Sequence, residues 1–525
     1  MVRNCAHYHC CWYNHLMINV KKFVKDYWII AILALCSTAF FIYQHSVSLS
    51  WDFNSYVLNA KYWFAQGLYF ETLRPPLVPL IMGLFSPFGW RTAEYLFIVF
   101  SSLCFAYSSV RLAHKLDFNP VVFYMLSLTP YLLFIGMNNG TELVSVAFLE
   151  LAISCVLEGN ILSGFFLGLS ALSRYTALFL FPILFFHLRG KKIVRSIVIF
   201  FITLLPWFIY NFFKFGNFFF SIADQYANNI LFRLSIHQAP QLDHFLRVVG
   251  ILSPVFIIGF LAAFFFVIRQ FNLAHIDIGR YLKTARKEII MFFILVYTIY
   301  SYWNIPLKEA RYLFTLVLPV AFFSYIGASY CLKKLKINKQ WLVAVGILIL
   351  LVNSFLFFRE LPVTVSYYEK PADYQSAIQT LKNLNLGDCS VMSNSWVMLN
   401  YLGQQTQSTP ASEMVNDSIR EGKTIVLFKR VQDPSYVHNS TFISSFPVIY
   451  NDPKYILLGT KACAPITSLD QSFLEKMSDI AFRLRGYHTN TNPCLILFHN
   501  SATLERSCNF VNFKGYIQDS NRKIW

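Results

Sequence analysis

The stretch SLSWDFNSYVLNAKYWFAQGLYFETLRPPLVPLIMGLFSPFG places the Asp52 carboxylate 22 residues before the Arg74 guanidinium. Such a pair suits transfer from a phosphate-linked donor. The carboxylate would orient or deprotonate an attacking hydroxyl, and the cation would neutralise charge developing on the departing phosphate. A phosphate leaves without being protonated, so one carboxylate suffices where glycosidases use two. Spacing alone favours a plainer reading, an interfacial helix carrying a solvated Asp52 and a snorkelling Arg74.

The local pattern says how these residues are carried. Asp52, Tyr56, Asn59 and Trp63 recur at intervals of four, three and four, which puts them on one face of a helix. Phe53, Val57, Ala60 and Phe64 make a neighbouring apolar face, as in a helix lying in the membrane interface. Gly67 can end that helix, and Arg74-Pro75-Pro76 starts a second apolar segment.

The whole chain sets the surroundings. Its 525 residues are 56% hydrophobic and 14% charged, with a mean hydropathy of +0.47. Soluble domains carry about 25% charged residues, so this is no ordinary cytosolic enzyme, and 54 Phe with 30 Tyr exclude a disordered chain. About eleven segments have the length and hydropathy of membrane spans: 27–45, 92–112, 120–137, 142–158, 161–174, 175–188, 196–213, 250–269, 288–303, 312–332 and 341–358.

The formal charge of +17 divides unevenly: 28 basic and 13 acidic residues up to Phe358 give +15, and 16 and 14 beyond it give +2. Of the 28 basic residues, 19 fall before the first span and after the second, sixth, eighth and tenth. By the positive-inside rule these connections are cytoplasmic. The excess charge is therefore an orientation signal and not a nucleic-acid footprint. The expected organisation is a cytoplasmic segment 1–26, a transmembrane domain 27–358 whose first exterior loop, 46–91, carries the chemistry, and an extracytoplasmic domain 359–525. The first span reads as a retained signal anchor. His7, His9, Cys10, Cys11 and His15 precede it without the repeated spacing of a metal site, and Met17 reads like an alternative start.

Further polar residues fall on the same exterior side. Glu142 opens the fourth span after Asn138-Asn139-Gly140-Thr141, where it could complement the helix dipole or face a cavity and bind an acceptor hydroxyl, an amine or a metal. Arg174 and Tyr175 fall at the break between two short apolar stretches, and a charge at that depth should face the protein interior, a cavity or headgroups. Lys308, Glu309 and Arg311 precede Tyr312 in another exterior turn, where Glu309 could simply pair with either cation. Trp207, Tyr210 and Asn211 suit an aromatic belt. The loop 214–249, with Asp224, Tyr226, His237, Asp243 and His244, is long enough for a lid.

WDF, YWFAQGLYF and RPPLVPL resemble the first loop of the GT-C membrane glycosyltransferases, in particular the protein mannosyltransferase and aminoarabinose transferase group. NNGTELVSVAFLELA, GLSALSRYTALFLFP, LLPWFIYNFFKFGNFFFS and KEARYLFTLVLP fit the same group in order, so the resemblance covers about the first 330 residues. It implies that Asp52 is catalytic and that Arg74, where the aminoarabinose transferases have lysine, handles the lipid phosphate. Arginine offers a planar fork where lysine is a point charge, so the geometry changes while the charge is kept. The resemblance also makes Arg311, opening its span as Arg-Tyr, a second phosphate ligand. The acidic pair common in protein mannosyltransferases is absent, since Phe53 follows Asp52.

Beyond residue 360 the pattern alternates. ADYQSAIQTLKNLNL, WVMLNYLG and QSFLEKMSDIAFRLR read as helices, and CSVMSN, TIVLFKR, KYILLG and CLILFHN as strands, giving a small α/β domain with a partly parallel sheet. Its Cys389, Cys463, Cys494 and Cys508 allow three disulfide pairings, with Cys494–Cys508 the favoured bridge. Asn416-Asp417-Ser418 and Asn439-Ser440-Thr441 match the N-glycosylation pattern. The domain suits an acceptor-binding or partner-binding cap, or a folded appendage.

The expectation is thus a polytopic α-helical membrane protein of GT-C type with about eleven transmembrane helices and a C-terminal extracytoplasmic α/β domain. It would transfer a sugar from a polyprenyl-phosphate donor to a glycan, lipid or protein acceptor, with inversion, in the plasma membrane. Asp52 and Glu142 are the expected catalytic residues. Arg74, Arg174, Arg311 and Lys308 would bind the donor phosphate, and Tyr56, Asn59, Tyr175 and Tyr312 would line the pocket. No metal ligands are assigned, although a divalent cation fits the chemistry. A lipid transporter or flippase is the competing class, and it should show internal repeats and mid-membrane polar groups that this sequence lacks.

Overall fold

The computed structural model describes residues 27–471 apart from 188, 232, 234–237, 274–277, 339, 411, 432–434 and 466–468. The Met1–Asp26 segment, His237, the 472–485 helix, the 494–500 strand and the Cys494–Cys508 bridge lie outside the described residues.

All eleven apolar segments expected from hydropathy coincide with helical structure, but not all are single long helices. Among the described residues six are long and apolar enough to cross a membrane: Trp28–Val47, Trp90–Leu116, Gly190–Phe215, Leu242–Phe271, Ala310–Lys334 and Trp341–Ser366. The expected 120–137 span is broken into Pro120–Ser127 and Pro130–Ile135. Each half starts on a proline at a first turn, and the side chain of Asn119 or Thr129 accepts the next free N–H groups. The helix Ser163–Ser173 stops at Arg174, whose extended backbone leads into a 3₁₀ segment, Tyr175–Phe186, that contains Pro182. Ala310–Leu316 is also 3₁₀ before it becomes the α-helix Val317–Lys334.

The outward faces of these helices are apolar. Leu35, Phe201, Phe213, Phe265, Leu348, Leu351 and Phe355 are each more than half exposed, a distribution that water would not tolerate over so large an area and that hydrocarbon favours. This is a membrane protein. Between its helices the packing depends on small residues at close crossings. A Cβ on Gly259 would lie 1.7 Å from the Phe323 carbonyl oxygen, and one on Gly327 would lie 1.8 Å from that of Val255. Ser253–Leu273 and Val317–Lys334 can therefore touch backbone to backbone only because both positions lack a side chain.

The helix Trp51–Phe64 departs from the interfacial expectation. Phe53, Val57 and Ala60 are completely buried, and so are Asn54, Ser55 and Asn59 on the other side. Both faces are covered by protein, with Leu77–Phe85 packed against one side and the short helix Trp396–Tyr401 against another. A first strand, β1 (Tyr69–Glu71), follows it.

The C-terminal region holds the expected partly parallel sheet. β2 (Val391–Ser393) lies parallel to β3 (Thr406–Ser408) and β4 (Thr424–Phe428), while β6 (Tyr455–Leu458) runs antiparallel between β4 and β5 (Val448–Asn451), in the order β3-β2-β4-β6-β5. The short strands β3 and β5 carry too little apolar alternation to read from sequence. Cys389 is bonded to Cys463, the bridge that accompanies Cys494–Cys508 in one of the three possible pairings. The domain is joined to the first loop: β7 (Leu469–Gln471) pairs in parallel with β1, and Leu49 N–H donates to the Glu369 carbonyl at 2.7 Å.

Gly259→Ala and Gly327→Ala should each lower stability in detergent by about 1–3 kcal/mol, the usual cost of overpacking. Thermal unfolding followed by fluorescence will show a lower midpoint for both, while Gly190→Ala, with open space around its Cβ, will match the parent protein.

Candidate functional site

The first-loop helix begins with Asp52 in its first turn, and the loop returns after β1 to bring Arg74 against it. Arg74 Nη1 donates to Asp52 Oδ1 at 2.7 Å, its Nε to Glu71 Oε2 at 2.5 Å, and its Nη2 to Ser55 Oγ at 3.3 Å. The guanidinium also lies over the Tyr56 ring, 5.5 Å from its centroid. Arg311, 259 residues further on, reaches the other oxygen of Asp52 from the start of its 3₁₀ segment. Its Nε lies 2.5 Å from Glu309 Oε2. One carboxylate thus bridges two guanidiniums, and each guanidinium has a second acidic neighbour.

Burial pushes the Asp52 carboxyl up, but Arg311 and Arg74 together outweigh it and hold the group well below the usual carboxylate range. Burial likewise opposes charge on Arg74, and Asp52 and Glu71 overcome it, so Arg74 stays cationic. The Tyr56 phenol is pushed up by burial first and remains a neutral hydroxyl.

A second pair adjoins the first. Arg174 Nη1 donates to Glu142 Oε1 at 3.0 Å, and its Nη2 to the Arg311 carbonyl oxygen at 3.3 Å. Glu142 also accepts from the Thr141 N–H and hydroxyl. The preceding turn packs on the first-loop helix at Gly140, where a Cβ would lie 3.0 Å from the Phe53 ring and φ is +85°. Asp52, Arg74, Arg311, Arg174 and Glu142 are therefore assembled at one end of the helical bundle.

The other sequence candidates are placed less directly. Asn59 uses its amide on the backbone of Glu71, donating to the carbonyl and accepting from the N–H, both at 2.8 Å. Tyr175 accepts a hydrogen bond from Trp207 Nε1 at 2.7 Å, within an aromatic group that includes Trp63 and Tyr210. The Tyr312 hydroxyl is buried without a hydrogen bond among the described residues, beside Arg311. Lys308 turns to the end of the helix Ile278–Asn304, donating to the carbonyls of Tyr302 at 3.0 Å, Trp303 at 2.8 Å and Ile305. That is a cation capping a helix C-terminus. In the 214–249 loop, Asp224 accepts from Thr72 of the first loop, and His244 meets the Tyr302 hydroxyl at 2.8 Å. Among the described residues no group of three or more His, Cys, Asp or Glu could hold a metal ion.

Sequence reading missed Glu71 as part of the site. Its only local signal was the i, i+3 spacing to Arg74, since the tyrosine and asparagine that fix it act through the fold. It also missed a neighbouring cluster in which Glu94 Oε2 receives His45 at 2.6 Å, Arg91 at 2.8 Å and the Tyr401 hydroxyl at 2.8 Å.

No known family model matches the chain, and no curated protein matches it either. Solved structures do. The chain is similar to the crystal structure of ArnT from Cupriavidus metallidurans bound to undecaprenyl phosphate, with a TM-score of 0.53 and 11% identity, covering 83% of this chain and 98% of that one. The same protein in its apo state matches with the same TM-score, identity and coverage. The fold is therefore of the GT-C type.

The depressed Asp52 value has a signed consequence. A carboxylate with a lowered folded-state pKa contributes stability that is complete above its unfolded value near 3.8 and lost as pH falls through the folded value. Asp52→Asn should cost about 3–5 kcal/mol by leaving two largely buried guanidiniums short of a partner. The difference in unfolding midpoint between the two proteins will stay constant from pH 8 to about pH 5 and shrink only below about pH 4.

Proposed function

We propose that this protein is a membrane glycosyltransferase that takes a sugar from a polyprenyl-phosphate carrier and passes it to an acceptor on the extracytoplasmic side, with inversion in one displacement. The observation that carries this reading is the Asp52 carboxylate held between Arg74 and Arg311 at one end of a membrane bundle. The GT-C fold and its likeness to an ArnT bound to undecaprenyl phosphate support it. In this reading the basic helix connections face the cytoplasm and the cluster with the α/β domain faces outward.

The roles follow from charge. Arg74 and Arg311, with Arg174 behind them, receive the lipid phosphate through their remaining N–H groups and stabilise the charge that grows as the glycosyl bond breaks. Asp52 orients the acceptor hydroxyl or amine toward the sugar carbon and takes its proton. With both guanidiniums aimed at it, Asp52 is a weak base. A phosphate that draws on the same cations raises its proton affinity, so base strength rises as the donor arrives. Glu142 keeps Arg174 in place and offers a second carboxylate to the acceptor or to a divalent cation. Lys308, spent on a helix end, contributes by shaping the turn that presents Arg311.

The test is transfer in proteoliposomes supplied with labelled undecaprenyl-phosphate sugars. Asp52→Asn should lower kcat by roughly 10²–10⁴-fold while undecaprenyl phosphate still binds. Arg74→Gln and Arg311→Gln should weaken donor binding about tenfold or more, with Arg74→Lys in between. Full activity of a folded Asp52→Asn protein would remove its role.

A further inference from the structure

The α/β domain meets the first loop through Trp396–Tyr401, a helix that touches Trp51 on one side of Asp52 and reaches Phe53 on the other through Glu94 and His45. The Trp396 ring stands edge-on to Trp51, with centroids 4.5 Å apart. On the other flank the Tyr401 hydroxyl shares Glu94 Oε2 with His45, whose ring lies 4.2 Å from that of Phe53. Between them, Asn54 donates to Met398 Sδ at 3.3 Å.

A directed chain runs from this helix to the guanidinium. Trp396 Nε1 donates to the Tyr69 hydroxyl oxygen at 3.0 Å, Tyr69 donates to Glu71 Oε1 at 2.5 Å, and Glu71 Oε2 receives Arg74 Nε at 2.5 Å. An indole N–H can only donate. It therefore occupies the Tyr69 oxygen as an acceptor and sends the phenol proton to Glu71. Tyr69 and Glu71 are both almost fully buried, and the Glu71 backbone is pinned by Asn59 and by the pairing of β1 with β7. A chain of aligned bonds in such surroundings is stronger than its separate links.

We propose that Trp396 is a positioning residue. Through Tyr69 and Glu71 it fixes Arg74 against Asp52, so the α/β domain completes the donor-phosphate site. The kinetic consequence rests on the functional reading given above, but the positioning itself does not.

The test uses the full chain in nanodiscs with two conservative variants. Trp396→Phe removes the N–H and keeps a ring against Trp51, and Tyr69→Phe removes the hydroxyl. Phenylglyoxal modification, mapped by mass spectrometry, should reach Arg74 roughly three to ten times faster in either variant, the worth of one hydrogen bond, and leave the Arg311 rate unchanged. The double variant should be no faster than the single ones, because both break one chain. With a polyprenyl-phosphate sugar donor, kcat/KM should fall by the same factor, because Arg74 serves both the bound phosphate and the charge that grows on it. Tyr450→Ser, on the outer strand β5, should change neither reading. Unchanged Arg74 reactivity, with or without a lower unfolding temperature, would overturn the proposal and leave Trp396 a packing residue. If the parent protein transfers nothing from any lipid-phosphate sugar, the functional reading fails, and the Arg74 rates alone still decide the positioning.

Discussion

A single carboxylate shared by two guanidiniums organises one end of this protein. Asp52, Arg74 and Arg311 come from three different elements, and each sits in a largely desolvated place. Taking charges out of water costs several kcal/mol per ion, which their mutual attraction offsets only with good geometry and further hydrogen bonds. The surrounding structure supplies those. Arg74 is held at Nε, Nη1 and Nη2 by three different side chains, and Glu71 uses both oxygens. The first-loop helix is buried on both faces from Phe53 to Ala60 for the same reason: a helix lying loose in the interface could not keep Asp52 registered against an arginine 259 positions away.

The membrane sets the second constraint. Hydrocarbon admits helices readily and irregular backbone only where protein or a polar cavity covers it. Two of the three arginines of the site stand at such irregular places. Arg174 is the extended residue between an α-helix and a 3₁₀ segment, and Arg311 lies in a 3₁₀ turn leading into an α-helix. Interrupting the helices there turns two long side chains inward together and lets Arg174 reach the carbonyl of Arg311. Further along the bundle, Gly259 and Gly327 bring two helices to backbone contact, which stiffens the support on which the second of these arginines stands.

What sequence made legible was what local pattern and chemistry can carry. Hydropathy located the eleven expected helical segments, and the isolated acids and bases beside them, read with the family resemblance, picked out Asp52, Arg74, Glu142, Arg174 and Arg311, which the fold gathers. Proline and threonine broke the 120–137 segment where sequence suggested one span, because hydropathy averages over a helix break. Lys308 shows the limit of reasoning from charge alone, since only the three-dimensional path shows its ammonium closing on helix carbonyls. Trp396 was invisible for a different reason, since its partners Tyr69 and Trp51 lie across a domain contact that no spacing encodes, while Glu71 offered only its i, i+3 spacing to Arg74.

The charge balance of the cluster also bears on how an enzyme of this kind would turn over. Arg74 is already paired with Asp52 and Glu71, Arg311 with Asp52 and Glu309, and Arg174 with Glu142. On the proposed reading, a lipid phosphate arriving here gains only the difference between its own attraction and that of the resident carboxylates. Ground-state affinity is held down, while the extra negative charge that develops on the phosphate as the sugar leaves meets cations that are already fixed in place. Interactions that strengthen toward the transition state raise kcat, whereas those equally strong in the bound donor only lower KM. The same resident carboxylates reclaim the arginines once the sugar has gone, which favours release of the lipid phosphate. A site with bare arginines would bind the donor more tightly and hold the product as well.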